Sequence, residues 1–156
     1  MTKFLLSVHV LAAILTVGSI AVAASLFPRY ARHALAEGKE SRSAGVAAFL
    51  HRVCRGYAVA GVVVPVFGIA TGAQLGVLTD AWLIVSLLLT TLAAVLLAAL
   101  IIPAQRRMLA PRAAGVADGE PAALAPRLAM LTGLFNVLWA VVVVLMIVRP
   151  GSTTGV

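Results

Sequence analysis

The chain carries little acid and almost no sulfur chemistry: Asp and Glu total five against twelve Lys and Arg, and Cys54 is the one cysteine. A single cysteine excludes an intrachain disulfide and a cysteine metal cluster. Only 11% of the residues are charged, and no polar stretch is long enough to form a separate soluble domain, so one domain accounts for residues 1–156. No Ser/His/Asp arrangement, paired carboxylates or glycine-rich phosphate loop is spelled out, so no catalytic residue and no metal site are assigned and the chain reads as non-enzymatic. What the chain has in abundance is apolar length, with 62% hydrophobic residues and a mean hydropathy of +1.09.

That length is organised into four runs, at about 4–27, 56–78, 81–102 and 128–148, each free of Asp, Glu, Lys and Arg. About 20 apolar residues suffice for a helix to cross a bilayer. The expected fold is therefore all-α, an integral membrane four-helix bundle. A cleaved signal peptide competes for the first run, since Lys3 and Ala21-Val22-Ala23-Ala24 imitate one. Its length, and the Arg29 and Arg32 that follow it, favour a retained helix stopped by Pro28-Arg29. Thr79-Asp80 alone separates the second and third spans, which predicts a tight hairpin. The fourth is closed by Arg149-Pro150-Gly151 and a short polar tail.

The basic residues lie almost wholly between spans, so membrane orientation explains the net charge of +7 better than a nucleic-acid partner does. Ten of the twelve flank or occupy the first and third connections, among them Arg29, Arg32, Arg52, Arg55, Arg106 and Arg107, and only Lys3 and Arg149 lie on the other side. The positive-inside rule then puts connections 28–55 and 103–127 in the cytoplasm and both termini outside. The third connection, rich in Ala, Pro and Gly and carrying Asp118 and Glu120, reads as a flexible connector. In the first, Val46, Phe49, Leu50 and Val53 recur at helical spacing, with His51, Arg52 and Arg55 as polar surface. This predicts an interfacial helix or an extension of the second span, its arginines at anionic headgroups or docked to a partner.

Gly68, Gly72 and Gly76 lie four apart and share one face of the second span, the strongest packing signal in the chain. Such a face accepts another helix of the bundle, a second copy or another membrane subunit. The leucine-rich third span is expected to face lipid. Polar residues within spans should face the bundle, and Asn136, three residues before Trp139, suits an interhelical hydrogen bond. His9 is the only ionisable side chain well inside a span. A neutral imidazole there hydrogen-bonds Gln74 or Ser86, relays protons, or ligates a metal or haem iron. Met146 is nearer His9 in depth than His51 is. As a second axial ligand it would complete a His–Met pair, and otherwise it is apolar filler.

Ser7-Val8-His9-Val10-Leu11-Ala12-Ala13, the segment Phe27-Pro28-Arg29-Tyr30 and the four-span layout together resemble a family of uncharacterised actinobacterial integral membrane proteins. That family is distantly similar to the copper-resistance D type membrane proteins and the J-type protoporphyrinogen oxidases. The resemblance implies a bacterial cytoplasmic membrane and, through the first-span histidine of the J-type oxidases, a haem b ligand at His9. The chain departs from the pattern at Thr16-Val17-Gly18, where a tryptophan is usual. Two functions follow as expectations: a non-enzymatic bundle that packs with or assists a larger membrane assembly, or a small b-haem or metal-binding redox protein centred on His9.

Overall fold

A computed structural model describes residues 1–38, 40–110 and 119–151, with side chains from 123 onward in the last stretch. The elements are α1 (Thr2–Glu37), α2 (Arg42–Ala60), α3 (Val63–Leu75), α4 (Ala81–Val95), a π-helical segment (Leu96–Ile101), α5 (Ile102–Leu109) and α6 (Gly119–Val148). They join into four long helices, Thr2–Glu37, Arg42–Leu75, Ala81–Leu109 and Ala123–Val148, each long and apolar enough to cross a membrane. The four form a bundle.

α1 does not stop at Pro28. The ring removes one backbone donor, but its fixed φ suits a helix, and Pro28 is buried against neighbours that hold the backbone in place. The helix therefore runs 36 residues, about 54 Å at 1.5 Å per residue, well beyond the roughly 30 Å of a hydrocarbon core. Gly38, at φ 98°, turns the chain, and the Ser41 hydroxyl accepts the Ala44 N–H at 3.2 Å to start α2. The first connection is thus mostly helical, and α2 is the extension of the second span rather than a separate interfacial helix. At Gly61–Val62 the span bends. Pro65 has no N–H for the Gly61 carbonyl, which accepts from Val64 instead at 3.1 Å. α3 ends at Gly76, whose φ of 70° is left-handed and whose N–H bonds the Ala73 carbonyl.

α1 is the axis of the packing, with α2 and α3 on one side and α6 on another, while α4 lies mainly against α6. α3 and α4 touch sparsely despite their short turn, chiefly where Leu83 meets Gly72. The main core gathers Ile20, Ala24 and Phe27 of α1 with Leu50, Leu97, Ile101, Leu128 and Phe135, toward the end of the bundle that bears most of the arginines. Outside it, Leu11, Ile14, Val59, Leu88, Val137 and Ile147 present an apolar exterior. The third span is only partly given to that exterior. Leu88, Leu92 and Leu100 are exposed, but Leu96 and Leu97 are core. Within the third connection, α5 and the start of α6 are helical; the expected flexible connector falls largely on 111–118, and the polar tail on 152–156, outside the described residues.

Candidate functional site

Three polar nodes hold the bundle together, and two contain histidine. His9 is buried on the face of α1 that meets α3. Its Nδ1 lies 2.8 Å from the Val64 carbonyl oxygen. A carbonyl only accepts, so Nδ1 carries the proton, and in the neutral ring the lone pair is left on Nε2. Gly68 makes the approach possible, because a Cβ there would stand 2.9 Å from His9 Cε1. Neither partner expected from the sequence is used: Gln74 accepts from the Thr2 hydroxyl, and Ser86 bonds back to the Trp82 carbonyl of its own helix. Gln74 fails because its side chain is exposed, and Ser86 because its hydroxyl is spent locally.

Gly72 packs against Leu83 and Leu78, where a Cβ would meet their Cδ2 atoms at 2.9 and 3.2 Å. Gly76 does not belong to this contact. A Cβ there would meet nothing within 4 Å, and the residue is needed for its positive φ instead. The glycine face is therefore used inside the bundle by a histidine and a leucine pair.

The second node was not legible in the sequence. His51 is buried rather than part of the polar surface, and its Nδ1 lies 3.0 Å from Gln105 Oε1. The same amide donates through Nε2 to Cys54 Sγ at 3.5 Å. Gln105 is fully buried, so α2 and α5 are locked at the arginine-bearing end by one side chain using both of its polar atoms. Cys54, just before the 56–78 span, is fully buried too. Burial pushes its thiol upward in pKa while the Gln105 hydrogen bond pulls the other way. The available signal was spacing: Gln105 falls four residues after Ile101, in line with the buried positions 93, 97 and 101. Its place between Pro103 and Arg106 disguised it as loop.

The third node is Asn136, whose Nδ2 donates to the Ser25 hydroxyl at 3.2 Å and ties α6 to α1. Phe135 and Trp139 meet edge to face beside it, with centroids 6.3 Å apart. Below the nodes, Arg29, Arg32, Arg52, Arg55, Arg106 and Arg107 are all exposed. At the opposite end Arg149 lies 5.7 Å over the Trp82 ring, and the Trp82 indole donates to Asp80 at 3.0 Å.

His9 and Met146 are not brought together. The Ser25–Asn136 bond sets the register of α1 and α6, which places Met146 about 9 Å deeper than His9 toward the basic end. Sixteen residues separate His9 from Ser25, so the α1 face that meets α6 is turned about 160° from the one carrying His9. Among the described residues no group of three or more His, Cys, Asp or Glu converges as a metal site would require. Comparison with known protein families, with curated proteins and with solved structures finds no match to this chain.

Proposed function

We propose that this chain is a non-enzymatic protein of the bacterial cytoplasmic membrane, both termini outside, that packs with a larger membrane assembly through its basic, cytoplasmic end. The supporting observation is the rigid overhang. α1 and α2 continue as packed helices beyond the length a bilayer requires, pinned to α5 by His51, Gln105 and Cys54, and their arginines point outward. Orienting a span takes only a few loop cations, and a floppy loop would supply them. A pre-formed helical platform costs a partner less ordering on binding than a flexible loop would. Its test is native electrophoresis of the protein solubilised gently from its own membranes, beside a variant carrying Arg29→Gln, Arg32→Gln, Arg52→Gln and Arg55→Gln. The parent should run as a larger species that the variant loses while keeping its thermal stability. Migration of the parent as a bare single chain would overturn the reading.

One observation favours a second reading, a b-haem or metal-binding redox protein. With Nδ1–H given to a backbone carbonyl, His9 has its lone pair on Nε2, the arrangement by which protein imidazoles are set to ligate metal. Haem bound there would supply one-electron transfer. His9 would offer Nε2 as one axial ligand; Met146 does not fit as the other, and among the described residues no second ligand stands beside it. Purified protein should in that case show a Soret band that shifts on dithionite reduction and is abolished by His9→Ala but kept by His51→Ala and Met146→Leu. A colourless preparation after growth with ample haem and addition of haemin removes this reading.

A further inference from the structure

Thr132, Asn136 and Trp139 lie at i, i+4 and i+7 on one flank of α6, and each has an enclosed polar atom without a hydrogen-bond partner: Thr132 Oγ1, Asn136 Oδ1 and Trp139 Nε1. Thr132 as a whole is only 2% exposed. In a hydrocarbon surrounding, polar atoms left in this state are strongly disfavoured, and native structures satisfy them with protein or with ordered water. The three atoms are chemically complementary to one kind of guest. Oδ1 can only accept, the indole N–H can only donate, and the hydroxyl does both. A partner serving Asn136 and Trp139 together must therefore donate and accept at once. Asn136 Nδ2 is given to Ser25, which leaves Oδ1 as the amide atom without a partner.

A separate feature of the facing helix points to the same place. Pro28 has no N–H to offer the carbonyl of Ala24, and Ala24 is the residue before the Ser25 that Asn136 contacts. Helix carbonyls point along the chain, so this acceptor is directed toward the level of Thr132, about 6 Å from Asn136 along α6. Proline inside a membrane helix is tolerated where side chains or ordered water re-satisfy the freed backbone group. The atoms lacking partners on α6 and the carbonyl whose usual donor Pro28 withholds thus lie at one level of the α1–α6 contact.

We infer that the α1–α6 seam holds ordered water, at least one molecule bridging Trp139 Nε1–H to Asn136 Oδ1 and continuing to Thr132 and the Ala24 carbonyl. The water accepts from the indole and donates to the amide oxygen. The inferred site is a hydrated polar seam between α1 and α6, at the level of Ser25 and Asn136.

The test is nuclear magnetic resonance of the full chain, labelled with nitrogen-15 at tryptophan, in lipid nanodiscs. The chain has two tryptophans, and Trp82→Phe assigns the Trp139 indole by removing the other signal. A Trp139 N–H at a hydrogen-bonded shift with a cross-peak to water is the expected result. A free-indole shift without that cross-peak, or a bonded shift with contacts only to a protein acceptor such as Asn136 itself, overturns the inference. Thr132→Val keeps the shape of the seam and should weaken the water cross-peak at least twofold. Gly133→Ala, at an exposed position with open space around it, should leave it unchanged. Pro28→Ala returns an N–H to the Ala24 carbonyl and should also weaken the cross-peak; an unaltered signal in both Thr132→Val and Pro28→Ala would overturn the seam as the site.

Discussion

The His9 ring sits so close to Gly68 that a methyl group at residue 68 would stand 2.9 Å from Cε1 and 3.1 Å from Nδ1. The ring cannot retreat without lengthening its 2.8 Å bond to the Val64 carbonyl, so the glycine and the hydrogen bond are one device. Close backbone approach through glycine is how membrane helices gain packing contacts, and here the approach is made by an imidazole.

The glycines of the second span should accordingly respond differently to alanine. Gly68→Ala should destabilise the bundle by about 1–3 kcal/mol, through a displaced ring and a broken buried hydrogen bond. Gly72→Ala meets only the ends of two leucine side chains and should be milder, whereas Gly72→Leu should cost about as much as Gly68→Ala. Gly76→Ala has space but the wrong backbone, and should cost about 1 kcal/mol for its positive φ. Gly18→Ala, exposed and with nothing within 4 Å, should be neutral. Thermal unfolding in one detergent ranks the series; equal effects at Gly68 and Gly18 would mean the His9 contact does not form.

Gln105→Leu removes the shared partner of His51 and Cys54 and leaves the buried imidazole N–H of His51 unsatisfied, which should cost about 1–3 kcal/mol. The thiol should also become less reactive, because the Gln105 hydrogen bond that counters the effect of burial on its pKa is lost. Cys54 is fully buried and its pKa is raised, so the parent should react slowly with maleimide even in solubilised protein at neutral pH. Labelling slower in Gln105→Leu than in the parent is the expected outcome. Equal rates would separate the amide from control of Cys54.

The proposed orientation is tested away from Cys54, whose burial makes it a poor reporter. In a Cys54→Ala background, Gly45→Cys lies on exposed α2 surface and Thr79→Cys on the exposed turn before α4. A membrane-impermeant maleimide should reach residue 79 in intact cells and residue 45 only after lysis. The reverse order would invert the bundle and move the arginines outside.

The four helices were legible because charge-free apolar runs are long-range signals that no local detail can hide. Gly68 and Gly72 were legible as packing residues because small side chains at four-residue spacing have few other uses. Pro28 misled as a stop signal, since a proline's effect depends on whether neighbours hold the flanking backbone in place. His9 was visible but its partner was a backbone carbonyl, and backbone acceptors carry no mark in a sequence. His51, Cys54 and Gln105 form a node only because residues about 50 apart meet on different helices, and the charges around them imitate solvent-facing surface.

The six π-helical residues at 96–101 carry a consequence for register. Buried positions 93, 97, 101 and 105 recur at a strict spacing of four, and on an ideal α-helix each step of four rotates the side chain about 40° further round the axis. Three such steps would carry Gln105 about 120° from Ala93 and off the surface that meets α2. The wider turn of the π segment unwinds that drift. Deleting one residue between Leu96 and Ile101 would turn α5 by about 100°, uncoupling the amide from both His51 and Cys54 while leaving every contacting residue in the chain.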